Sequence, residues 1–309
     1  MKKQKILVIV GPTASGKSAL AVCLARKLNG EVISADSRQV YKGLDIGTGK
    51  ITKREMKGVP HHLLDVASPK KQFTANDFAR LARKKISMIY HTGKLPIIVG
   101  GTGFYIDSLV GRIVLPDVAP NKALRAHLAK KTTAQLFSML KKRDPKRAAM
   151  LSTPSERNNK VRLIRALEIA HALGRNPAPR SNLGTYDVLW LGIAPPDSKL
   201  RKNITIRLFA RLRGARNNPR LGMIREAGQL HAKGLSYKRM HELGLEYRSL
   251  ARLLQKKITP AELEKELQSD IWRYARKQIG YWKRNKEIKW FDPKATGKIE
   301  KRVRAWIRK

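Results

Sequence analysis

Residues 6–18 read Ile-Leu-Val-Ile-Val-Gly-Pro-Thr-Ala-Ser-Gly-Lys-Ser, and this stretch decides the fold. An unbroken apolar run rich in β-branched residues suits a strand buried on both faces of a parallel sheet. Gly11, Pro12, Thr13, Ala14, Ser15, Gly16, Lys17 and Ser18 then fit G-x-x-x-x-G-K-[ST]. The glycines let the backbone close around an anion, so that several N–H groups and a helix N-terminus converge on phosphate. Lys17 brings a mobile positive charge, and Ser18 offers a hydroxyl to Mg2+. A chance match is the competing explanation, and the strand before and helix after argue against it. The helix over 18–28 stops near Asn29-Gly30, and 31–36 reads as a second parallel strand. Asp36 is thereby delivered to the carboxyl edge, where open α/β sheets bind ligands.

The 309 residues can bury a sizeable core, and 42% hydrophobic content is ordinary for a globular protein. The charge is not ordinary. Lys and Arg number 66 against 23 Asp and Glu, a formal net charge of +43. Such an excess gathers polyanions at the surface and points to a nucleic-acid partner, with a general Lys/Arg bias as the plainer source. Cys23 is the single cysteine, which excludes an internal disulfide framework or cysteine zinc site and suits a reducing cytoplasm. The apolar run after Lys2, Lys3 and Lys5 is too short for a signal peptide or a membrane span.

Outward from the loop, residues 37–49 are small, polar and glycine-rich, a loop over the crevice. Residues 60–66 read as a short strand bringing Asp65 to the sheet edge. His61 and His62 would face opposite ways there, which favours packing or hydrogen bonding over a shared metal. A helix opens at 74–77 and stops at Gly93. Residues 95–99 form another buried strand, ending in Gly100-Gly101-Thr102-Gly103. Thr102 can offer its hydroxyl to a ligand there or cap the next helix. From Pro116 the alternation stops, and 117–183 reads as an inserted helical subdomain with helices at 123–131, 133–142 and 160–173. In the last of these, Val161, Ile164, Leu167 and Ala170 would share the inward face, leaving Arg162 and Arg165 outside the deepest packing. Residues 188–194 form a strand that returns to the sheet. The expected fold is thus α/β, a P-loop NTPase-like parallel sheet flanked by helices (1–116 and 184–309), with a helical insertion and a helical C-terminal region.

Residues 198–225 hold Arg201, Lys202, Arg207, Arg211, Arg213, Arg216, Arg220 and Arg225 and no acid. Leu200, Ile204, Leu208 and Leu212 repeat every four residues, so a helix would pack that stripe inward with Arg207 and Arg211 one turn apart beside it. Guanidinium groups clasp phosphate bidentately. Residues 270–284 form a second amphipathic helix, with Ile271, Ala275, Ile279 and Trp282 inward. Arg273, Arg276, Lys277 and Arg284 lie elsewhere, a basic surface suited to RNA.

In this order, residues 11–18, 36–41, 61–65, 100–105, 162–168 and 273–278 resemble the tRNA dimethylallyltransferase (tRNA isopentenyltransferase) family over almost the whole chain. The resemblance implies transfer of a dimethylallyl group from dimethylallyl diphosphate to N6 of the adenosine 3′-adjacent to the anticodon of tRNA, with Mg2+ as cofactor. It implies that the loop from Gly11 to Ser18 holds the leaving diphosphate with Lys17 and Arg211. Asp36 would then be the general base, and Thr102 would fix the target and the diphosphate. Asp36, Ser37, Arg38, Gln39, Thr102 and Arg125 would contact tRNA. A monomer in the cytoplasm is expected. The chain departs from the family pattern at 212–222, a lengthened link to Met223, and at Gly244-Leu-Glu-Tyr-Arg248. With Cys23 as the single cysteine, the C-terminal zinc finger that some eukaryotic relatives carry is not expected within these residues. Two other classes stay open on the residues alone: a P-loop nucleotide or small-molecule kinase, and a non-catalytic, nucleotide-gated RNA-binding protein.

Overall fold

The computed structural model describes residues 3–151, 153–177, 184–214 and 222–309. The first stretch runs β1 (Gln4–Val10), α1 (Lys17–Lys27), β2 (Gly30–Ser34), α2 (Lys53–Met56), β3 (His61–His62), α3 (Ala75–His91), β4 (Leu95–Gly100) and α4 (Gly103–Leu109). Helices follow: α5 (Lys122–Ala129), α6 (Thr133–Arg143), α7 (Pro145–Ala149), α8 (Pro154–Arg157) and α9 (Lys160–Leu173). The chain then continues through β5 (Tyr186–Ile193), α10 (Asp197–Arg213), α11 (Met223–Ala232), α12 (Tyr237–Leu243), α13 (Leu245–Leu254), α14 (Pro260–Trp282), β6 (Lys289–Phe291) and α15 (Thr296–Arg308). Residues 1–111 and 183–309 form one compact unit and 112–182 a second, against boundaries of 116/117 and 183/184 read from the sequence.

The described strands make one sheet in the order β3-β2-β4-β1-β5-β6, parallel at every pairing. β1 lies between β4 and β5, and Ile6 to Val10 are fully buried, as an unbroken apolar run requires. Val10 pairs with Gly100 and Gly192, while Ser34 pairs with Val99. The chain therefore leaves β1, β2 and β4 at one edge and one level. α1 covers one face, where Leu20 and Leu24 join Leu7, Ile9 and Leu191 together with Ile299 and Val303 of α15. Local sequence sets the helix ends: capping boxes at Thr74/Asp77 and Thr259/Glu262 open α3 and α14, and Pro260 takes the first turn of α14.

The strand expected over 60–66 and the face expected of α9 need correction. The strand expected over 60–66 is limited to His61–His62, because Leu63 (φ 63°) and Asp65 (φ 56°) take left-handed conformations that cannot continue a ladder. Asp65 instead pairs with Lys50 at 2.6 Å in a loop. The histidines do hydrogen-bond apart, His61 with the Val59 carbonyl and His62 with Glu31. In α9 the inward face is turned from the one expected: Leu163, Ala166, Leu167 and Ala170 are buried, whereas Val161 is 78% exposed. Arg165 is not outside the packing network, since it pairs with buried Glu168 and donates to the Val118 carbonyl.

The second unit closes around Leu128, Leu136, Leu140 and Leu163. In the first unit Leu200, Ile204, Leu208 and Leu212 are all buried along α10, while Arg216 and Arg220 lie outside the described residues. On α14 the buried stripe is Ile271, Ala275, Gln278 and Trp282, with a glutamine where Ile279 was expected. Among the described residues no helix is long and apolar enough to cross a membrane.

Candidate functional site

The phosphate loop is shaped by Gly16, whose left-handed φ of 91° turns the chain into α1. Lys17 Nζ folds back onto the Pro12 carbonyl at 2.9 Å. Burial pulls its ammonium down to about 8; Asp36 opposes that shift and Arg207 adds to it. Ser15 is 2% exposed, and its hydroxyl has no hydrogen-bond partner among the described residues. A buried donor left in this position suits a loop that closes on an anion. Ala14 is tied to α10 through its carbonyl, which accepts from Asn203 at 3.2 Å.

Asp36 leaves the sheet two residues beyond β2. Its Oδ1 accepts the Arg38 and Gln39 N–H groups at 2.8 and 3.2 Å, an Asx-type turn that orients the carboxylate and leaves Oδ2 available. Thr102 sits at the N-cap position of α4, but its hydroxyl makes no cap bond. Instead Oγ1 accepts the Ser37 N–H at 3.0 Å and meets the Tyr274 phenol of α14. Burial first, then the Asp36 carboxylate, push that phenol above its ordinary value, so it stays protonated. The structure thus brings Lys17, Asp36 and Thr102 to one edge, along with Ser37, Arg38 and Gln39. Arg38 keeps a buried Nε without a hydrogen-bond partner among the described residues.

A cavity of about 530 Å³ begins at Ser18 and follows α1 past Val22 and Cys23 to Arg26, with Arg207 on its other side. Arg207 shares this lining with Ser18 and lies close enough to Lys17 to lower its pKa. Arg211 has other work: its guanidinium donates to the Gly47 carbonyl at 2.5 Å and pairs with Glu246 at 2.9 Å. What sets this division is Glu226, 9% exposed, whose carboxylate accepts the N–H groups of Asp45, Ile46 and Gly47 and the Tyr247 hydroxyl. It holds the loop whose Gly47 and Gly49 carbonyls receive Arg211 and Arg207. Tyr247 is buried in this role. Arg125 belongs to the second unit, where Nε and Nη2 grip Glu168 at 2.8 and 2.7 Å.

Among the described residues no three His, Cys, Asp or Glu side chains are grouped to hold a metal. The exposed Ser18 hydroxyl nevertheless fits Mg2+, which takes few protein ligands and completes its shell from substrate phosphates and water. Three further candidate residues were given no site role by the sequence reading. Arg207 differs from Arg211 only by one turn, and Tyr274 looked like one more aromatic on a basic helix. Gln278 did leave a signal, a polar residue seven positions after Ile271 on the buried stripe.

A phosphate loop, a turn-oriented carboxylate and an anchored hydroxyl on one edge of a parallel sheet define an anion-binding α/β protein equipped for group transfer. The comparisons narrow the class. A family model described as IPP transferase matches residues 39–286. A tRNA dimethylallyltransferase of Anoxybacillus flavithermus is 36% identical over 305 residues, covering 97% of this chain and 94% of that protein. The tRNA dimethylallyltransferase 1 of Geotalea uraniireducens is 39% identical over 280 residues, covering 90% and 88%. The crystal structure of the full-length tRNA isopentenylpyrophosphate transferase from Bacillus halodurans superposes with a TM-score of 0.71 at 34% identity, covering 98% of this chain and 96% of that one. The chain belongs to the IPP transferase family.

Proposed function

We infer that the protein transfers a dimethylallyl group from dimethylallyl diphosphate to N6 of the adenosine 3′-adjacent to the anticodon of tRNA and releases diphosphate. The observation that carries this reading is the convergence of a phosphate loop, Asp36 and Thr102 on one sheet edge in a member of this family. The bond between C1 of the donor and its bridging oxygen breaks, and its electron pair leaves with diphosphate. N6 forms the new bond to C1, and its proton passes to Asp36 Oδ2. Loop N–H groups, Lys17 and Arg207 stabilise the charge that develops on the leaving oxygens. The Ser18 hydroxyl would hold Mg2+, which when bound would add to the neutralisation of the diphosphate. The Thr102 hydroxyl, fixed by the Ser37 N–H, is placed to donate to the reacting centre.

We assign tRNA contact to Asp36, Ser37, Arg38, Gln39 and Thr102 and to the exposed Arg273, Arg276 and Lys277 of α14. To be reached, the adenine has to leave its stack. Arg125 is a further candidate, since its side chain stays 33% exposed while paired with Glu168. We assign the protein to the cytoplasm as a monomer. Family membership disfavours the kinase and the nucleotide-gated readings. The test is to incubate protein, Mg2+, dimethylallyl diphosphate and a tRNA carrying adenosine 3′ of its anticodon, then analyse nucleosides by mass spectrometry. N6-prenylated adenosine is the expected product; its absence, with ATP turned over on another acceptor, would restore the kinase reading.

A further inference from the structure

Gln278 is 6% exposed, and both ends of its carboxamide are used. Oε1 accepts the Thr13 N–H at 2.8 Å, and Nε2 donates to the Gly101 carbonyl at 3.1 Å. A backbone N–H can meet only the amide oxygen and a carbonyl only the amide nitrogen, so the pairing fixes the orientation of the group. Gly101 makes the approach possible, because a Cβ there would collide with Nε2. Thr13 belongs to the phosphate loop and Gly101 precedes Thr102. One side chain therefore spans the loop that holds the donor and the turn that faces the acceptor. The neighbouring turns of α14 grip the same segment: Tyr274 meets the Thr102 hydroxyl, and Tyr281 donates to Asp107 of α4.

Resting on the transferase reading, we propose that Gln278 is a positioning residue that sets the spacing between the phosphate loop and Thr102, so that C1 of the donor and N6 of the acceptor meet in line. It acts through Thr13 and Thr102. Misplacement of reacting groups by about 1 Å can cost ~100-fold in rate, so a clamp of this kind affects turnover more than binding.

The test uses Gln278→Glu, which keeps the shape of the side chain. As a carboxylate it still accepts from Thr13 but turns a lone pair toward the Gly101 carbonyl; once protonated, its O–H donates there as the amide did. Burial beside a carbonyl raises the pKa of such a carboxyl. At pH 8 the single-turnover rate should fall roughly 30- to 100-fold below the unaltered protein, with donor and tRNA affinities within about threefold. The deficit should shrink as pH is lowered to 6. Gln278→Asn, one methylene shorter, reaches only one partner, and its deficit should stay flat with pH. Circular dichroism at each pH confines the reading to folded protein. Rates for both variants equal to the unaltered protein, or a Q278E deficit as flat as that of Q278N, would overturn the clamp while leaving the transferase reading in place. An unaltered protein with no transfer would overturn that reading and this inference with it.

Discussion

Asp36 and Lys17 divide the chemistry at the scale of single residues, and each has its own test. Asp36 spends Oδ1 on the Arg38 and Gln39 N–H groups, so its geometry does not depend on its charge. Asp36→Asn should keep that turn and remove the proton acceptor. Single-turnover transfer should fall by about 10²–10⁴-fold with tRNA affinity largely intact, since the asparagine keeps the Oδ1 contacts and the other tRNA-facing residues are untouched, and an active D36N would remove Asp36 as the base. Lys17 carries a pH signature. Its pKa without donor is about 8, and an anion binds its protonated form, so binding raises that value. Below pH 8 the amine is already charged and affinity is flat. Above it, donor binding should weaken by up to about tenfold per pH unit, because a proton has to be taken up. Titration calorimetry between pH 6.5 and 9.5 checks this, and Lys17→Arg, charged throughout, should lose the slope.

Elements show where the sequence was sufficient. β1, β4 and β5 each carry a short apolar run, and α3 and α10 follow simple periodicities, so hydropathy alone identifies them. Lys17, Asp36 and Thr102 were legible for a related reason: each follows a recognisable strand by a short, fixed distance. The face of α9 was not legible. Its buried stripe contains Glu168, which becomes tolerable only through Arg125, more than forty positions earlier, and through Arg165. Nor does sequence separate Arg207 from Arg211, which differ in their partners: both donate to the loop at 45–49 held by Glu226, but only Arg211 also pairs with Glu246 among the described residues. Glu168 also titrates in a predictable way. Burial raises its pKa, but hydrogen bonds from Arg125, Arg165 and the Asn121 N–H outweigh it and bring the carboxyl to about 2, against 4.5 for the ordinary group. Its stabilisation is therefore complete above pH 4.5 and is lost as pH falls through 2. Glu168→Gln should cost roughly 2–3 kcal/mol at pH 7, less than the ~3–5 of a fully buried pair, since both arginines stay about a third exposed. In thermal unfolding the gap between the two proteins should narrow below pH 4.5; a constant gap would mean that the ion-pair cluster contributes nothing.

For the whole molecule, a formal charge of +43 should make tRNA binding steeply salt-dependent. Replacing Arg273, Arg276 and Lys277 with glutamine should lower the slope of log K against log salt by about two to three, as contacts with single-stranded or folded RNA contribute ~0.7–0.9 each. Filter binding between 50 and 300 mM salt would show it, and an unchanged slope would move the RNA surface elsewhere. The clamp on the phosphate loop bears on how the chain is made as well. Thr13 and Gln278 are 265 positions apart, and β1 takes its neighbours from residues 95–100 and 186–193. Local elements can form early during synthesis, but contacts of such separation close late and slowly. The motif most easily read in the sequence is thus among the last to acquire its final shape: a ribosome-bound chain ending before residue 278 should display the loop without its clamp. Birth order and functional order run in opposite directions here, and donor binding should appear only in the slowest phase of refolding.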